Sequence, residues 1–168
     1  LGMSALTYGV GGGSDEAGQT LTYKVTVIPS CITVWLSDGT TQVTANTTVT
    51  LAQLRGLKYK TVADSNGTGN LTWTVQDSGG TANGGVDTLT ETLGITVNAV
   101  NDVPVRTAGS PAAINVNEDS SNSTAVTLGM SALTYGVGGG SDEAGQTLTY
   151  KVTVIPSCIT VWLSDGTT

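Results

Sequence analysis

The chain has no histidine and no phenylalanine among its 168 residues, and only 11% of them are charged. Without imidazole there can be no Ser-His-Asp triad and no histidine metal site, and the carboxylates fall in turn-like segments rather than around an evident pocket. The sequence therefore predicts no enzyme. Basic residues are equally scarce, 6 against 13 acidic ones, and the formal charge of −7 argues against a phosphate-binding surface. Nucleic acid is not an expected partner. Nor is there an apolar run approaching the roughly 18 residues that cross a bilayer, or a basic-then-apolar leader.

What is present is repetition. Residues 1–41 recur without one substitution as residues 128–168, an offset of 127 positions. A long, undiverged period reads as a tandem array, and 127 residues are enough for one domain with its own core. Its function is then expected to belong to the array. Cys31 and Cys158 occupy equivalent positions, so each repeat carries one cysteine and cannot close its own disulfide. That thiol is expected either to pack as a small apolar group or to crosslink neighbouring strands in an oxidising compartment.

The repeat unit reads as all-β. Leu21, Tyr23, Val25 and Val27 alternate with Thr22, Lys24 and Thr26, as do Leu71, Trp73 and Val75 with Thr72 and Thr74, and Leu93, Ile95 and Val97 with Gly94 and Thr96. Further strands are expected at 32–36, 47–51, 57–61, 113–117 and 124–128, with one helical turn within 52–57. Asp38-Gly39, Asn66-Gly67, Ser78-Gly79-Gly80 and Asn83-Gly84-Gly85 supply turns, and Pro29 and Pro104 interrupt ladders. About seven short strands per unit suggest an immunoglobulin-type Greek-key β-sandwich. Residues 100–111, with two prolines and no alternation, are read as the linker. Domains are then 1–102, lacking a first strand, and 103–168, the first part of the next repeat.

Several segments, in order, resemble the bacterial cadherin-like tandem repeats of large extracellular adhesin and surface proteins. Asn117-Glu118-Asp119 is similar to the acidic step of the family's first strand, and Ser14 to Tyr23 (SDEAGQTLTY) to its acidic turn and following strand. Asn66-Gly67-Thr68 with Leu71 to Gly80 (LTWTVQDSGG) resembles its penultimate strand and terminal turn, and Ile95 to Pro104 (ITVNAVNDVP) its last strand and linker. The resemblance implies cadherin-like β-sandwiches in an extracellular, rod-like array stiffened by calcium at domain junctions. The Asp-Arg-Glu motif of the animal cadherin pattern is absent, Val103 separates Asp102 from Pro104, and Asp15-Glu16 replaces two Asp separated by one residue, so one or two ions per junction are expected.

Calcium takes six to eight oxygens at about 2.3–2.6 Å, mixing carboxylates with amide and backbone carbonyls. On this resemblance the junction gathers Asn101 and Asp102 with Asp142 and Glu143. Asp15, Glu16 and Asp77 form the equivalent cap on the first domain, and Glu118 and Asp119 face the following junction, with Asp64 a further candidate. Alternation places Cys31, Thr33 and Trp35 on the face opposite Ile32, Val34 and Leu36. Cys31 and Trp35, repeated as Cys158 and Trp162, are thus expected at contacts between repeats or between copies of the protein. The alternative function is a carbohydrate- or ligand-binding module using Trp35, with a glycan or cell-surface target.

Overall fold

The computed structural model describes residues 1–119 and 124–165. These fall into two compact units, Leu1–Val100 with Gly140–Asp142, and Asn101–Gly139 with Glu143–Thr168. Strands in antiparallel sheets dominate, and helix is almost absent.

The first unit is built in chain order from β1 (Leu21–Val27), β2 (Ile32–Trp35), β3 (Gln42–Val43), β4 (Thr47–Val49), α1 (Leu51–Arg55), β5 (Lys58–Thr61), β6 (Gly67–Asp77) and β7 (Thr88–Val97). One sheet has the order β4-β1-β6-β7 and the other β3-β2-β5. Their apolar faces share one core, with Tyr23, Val25, Leu71, Trp73, Val75 and Val49 from the first sheet and Ile32, Val34 and Val43 from the second. The arrangement is sandwich-like. Register follows the alternation: Tyr23 lies opposite Val75 and Val25 opposite Trp73, so both strands turn the same residues inward. Val27 is the exception. A bulge between Val25 and Val27 shifts the register and leaves Val27 half exposed, where simple alternation predicted burial.

The helical turn forms because Thr50 caps it. Its Oγ1 accepts from Gln53 N–H at 3.1 Å while Gln53 Oε1 accepts from Thr50 N–H at 2.8 Å, a reciprocal capping box. This ends the preceding strand at Val49, earlier than alternation suggested, and drops Leu54 into the core.

In the second unit β8 (Val105–Ala108) pairs with β9 (Thr134–Gly136). β8 lies inside the segment read as linker, because the β-branched Val105 and Thr107 sit between Pro104 and Pro111 and suffice for a short ladder. The strands expected at 113–117 and 124–128 do not form; those residues belong to no strand. The two copies of the repeated segment also differ. Tyr23 and Val25 are 8% and 0% exposed, whereas their counterparts Tyr150 and Val152 are 70% and 69% exposed and outside any strand. In the first copy this segment pairs with β4 and β6, drawn from residues 47–77, and the second copy has no counterpart of those residues within the 168.

Candidate functional site

The acidic turn closes in the same way in both copies: Gln19 N–H donates to the Glu16 carbonyl and Gln146 N–H to the Glu143 carbonyl, each at 2.9 Å. Around the second copy of this turn, within the second unit, a polar cluster forms. Asp102 N–H donates to Glu143 Oε1 at 2.9 Å, Gln146 Nε2 donates to Asn101 Oδ1 at 2.9 Å, and Asn101 Nδ2 donates to the Asp102 carbonyl at 2.9 Å. Asn101, Asp102 and Glu143 are thereby brought together. Gln146 joins them unforeseen, since its role depends on the turn folding back onto residue 101.

Glu143 is fully buried, and its Oε2 has no hydrogen-bond partner. A buried carboxylate oxygen without a donor carries a desolvation cost of several kcal/mol that one backbone N–H on the other oxygen does not offset. The first copy of the turn holds a second orphan, Gln19 Oε1. Its amide group packs so closely on Gly79 that any β-carbon there would meet Gln19 Nε2 at 2.5 Å.

Asp142 belongs with the first unit, where Asn66 Nδ2 donates to its Oδ1 at 2.8 Å. A β-carbon on Gly140 would lie 2.6 Å from Asp142 Oδ1 and 3.1 Å from the Asp64 carbonyl oxygen, which places Asp64 beside Asp142. Asp77 is engaged by its own turn, its Oδ1 accepting from Gly79 N–H at 2.8 Å, while Thr20 N–H reaches Ser78 Oγ at 3.1 Å. The acidic turn thus meets the Asp77 turn through Gln19 and Thr20. Asp15 is exposed and Glu16 half exposed; Glu118 and Asp119 are exposed, Asp119 in the left-handed region at φ 63°. Among the described residues no three His, Cys, Asp or Glu side chains converge as a metal-holding group. Any oxygen cage here would need the amides of Asn101 and Gln146 and backbone carbonyls, donors that calcium accepts.

The expected contact face is corrected at one residue. Cys31 is buried in the core beside Ile32, not on the opposite face. It precedes β2 in a turn closed by Ile32 N–H to the Pro29 carbonyl at 3.2 Å, so strand alternation does not yet apply to it. Thr33 and Trp35 do share the outer face: Trp35 Nε1 donates to Thr33 Oγ1 at 2.9 Å, and Lys60 Nζ stands 3.9 Å from the indole centroid. Cys158 and Trp162 are exposed.

Two carboxylates are acidified by local hydrogen bonds. Thr41 hydroxyl and N–H, with Thr40 N–H, hold Asp38 at about 2, below the ordinary 3.8. Asp87 is lowered by donors from Gln76 and Thr88. Both acids serve turn geometry. Compared with protein-family models, curated proteins and solved structures, the chain matches none.

Proposed function

We propose that the chain is a structural segment of an extracellular tandem array, resembling bacterial cadherin-like repeats, in which calcium bound by the acidic linker residues stiffens the rod. The observation that carries this reading is Glu143 Oε2, a fully buried carboxylate oxygen with no donor, next to Asp102 and Asn101. A divalent cation supplies the missing charge and takes up amide and carbonyl oxygens from Asn101, Gln146 and the linker backbone.

A complete repeat on this reading is an immunoglobulin-type sandwich. β9 is the counterpart of residues 7–9, and residues 1–6 of the first copy run beside α1 and β5: Arg55 Nε donates to the Leu6 carbonyl at 2.6 Å and the N-terminal amine to the Leu57 carbonyl at 3.4 Å. The carbohydrate-binding alternative is less favoured, because Lys60 already covers one face of the Trp35 indole on which a sugar would stack.

Calorimetric titration of the 168-residue chain with calcium tests the reading. Binding is expected in the range typical of extracellular modules, about 10⁻⁴ to 10⁻³ M, and Glu143→Gln should weaken it. The same variant should leave the calcium-free protein about as stable as before, since the glutamine amide oxygen can still accept from Asp102 N–H. Absence of binding heat, or equal binding by the variant, would sink the proposal.

A further inference from the structure

The chain contains two Asn-Gly steps, Asn66-Gly67 and Asn83-Gly84. In such a step the backbone nitrogen that follows the asparagine is a nucleophile within reach of the side-chain amide carbon, and glycine puts no β-carbon beside it to hinder the approach. Whether the two atoms meet in a folded protein depends on how freely the step leaves its native geometry. The two steps differ in that respect.

Asn66 is half-buried, and Gly67 is the first residue of β6, opposite Val97 in the ladder with β7. Turning the peptide between them would pull apart that end of the ladder. Asn83 lies instead in the connection from β6 to β7, where residues 78–86 are all exposed. Its backbone stands in the left-handed region at φ 54° and ψ 27°, followed by Gly84 at φ 85°. That region is disfavoured for a residue with a side chain, so little holds the asparagine there beyond the turn itself. The turn is closed by Gly85 N–H donating to the Ala82 carbonyl at 3.0 Å. Among the described residues no side-chain hydrogen bond holds Asn83. A β-carbon on Gly84 would meet nothing within 4 Å, so there is open space in which its peptide can turn.

We propose that Asn83 is a site of spontaneous covalent modification, in which Gly84 N attacks Asn83 Cγ and expels the side-chain nitrogen as ammonia. The Gly84 N–H proton is taken by hydroxide, the N–Cγ bond forms, and the Cγ–Nδ2 bond breaks as Nδ2 gains a proton. Water then opens the five-membered succinimide at one of its two carbonyls. Opening at Cγ leaves aspartate; opening at the backbone carbonyl carbon leaves isoaspartate, with the chain running through the side chain. Nothing is oxidised or reduced, and water is the only co-reactant. Either product adds a negative charge to this turn, and isoaspartate also lengthens the backbone by one atom inside the ring that Gly85 N–H closes. The chemistry depends neither on calcium nor on the chain acting as an array.

Peptide mapping of the full chain after incubation in mildly alkaline buffer, native and in urea, reads each step separately, with fragmentation that distinguishes isoaspartate from aspartate. In the native chain Asn83 is expected to convert at a rate close to that in urea, with ammonia released in step and faster at higher pH because the attacking nitrogen must lose its proton. Native Asn66 should be slowed by roughly tenfold or more relative to the unfolded chain, since it must wait for local opening. Asn83→Gln, whose extra methylene would require a six-membered ring, should remove most ammonia release from the native chain, whereas Asn66→Gln should leave it unchanged. Circular dichroism checks that both variants keep the parent fold. Native Asn83 that stays intact while the unfolded chain converts, or that converts no faster than native Asn66, overturns the proposal. Undiminished ammonia release from Asn83→Gln overturns it as well.

Discussion

Single residues carry two kinds of stabilisation here, burial and local hydrogen bonding, and they respond to different perturbations. Leu71 has no exposed surface and belongs to the shared core with Trp73 and Val25, so Leu71→Ala should lower the unfolding free energy by about 2–5 kcal/mol, read by urea denaturation. Asp38 acts through its charge. Its carboxylate accepts from Thr40 N–H at 2.8 Å, Thr41 N–H at 2.9 Å and Thr41 Oγ1 at 2.6 Å, and the fold lowers its pKa from 3.8 to about 2. A depressed acid pKa means that the folded state prefers the ionised form, so the contribution is present above 3.8 and disappears as pH falls through about 2. NMR titration of the Asp38 carboxyl carbon should show that low midpoint. The difference in denaturation midpoint between the parent and Asp38→Asn should be constant above pH 3.8 and shrink toward pH 2.

Among the elements, legibility in the sequence depended on whether a strand's neighbours were needed to identify it. β6 was legible because Leu71, Trp73 and Val75 alternate strictly with threonines and all three turn inward. β8 was not, because its four residues lie between prolines and its pairing with β9 spans a loop that no local pattern announces. Cys31 was misplaced for a related reason: the turn from Pro29 to Ile32 resets the phase before β2 begins. Of the polar cluster in the second unit, Asn101, Asp102 and Glu143 could be nominated from their types, but Gln146 could not, since amide partners are chosen by tertiary approach. The short helix is a case where local chemistry is sufficient. Thr50→Ala removes the acceptor for Gln53 N–H and should destabilise the protein by about 0.5–2 kcal/mol in equilibrium denaturation. Gln53→Ala, which removes the reciprocal half only, should have the smaller effect.

At the scale of the whole molecule, the repeat provides an internal control on how far sequence determines structure. The same 41 residues form β1 and β2 in the first copy and no such strands in the second, so local propensity alone does not fold this segment. The difference lies in its partners: β1 is held between β4 and β6, and β2 between β3 and β5. Strand formation here is therefore tertiary, as expected where side-chain burial outweighs intrinsic preference. The two cysteines report on this difference, since Cys31 is buried and Cys158 exposed despite identical flanking sequence. Under native conditions a thiol reagent should modify Cys158 rapidly and Cys31 only at the rate at which the first unit opens. Appending residues 42–100 after Thr168 would give the second copy the same partners as the first. In that extended chain Cys158 should become as slow to label as Cys31, and Trp162 fluorescence should shift toward that of a half-buried indole beside a lysine. If Cys158 stayed fast, the segment's fold would need something beyond the residues of its own repeat.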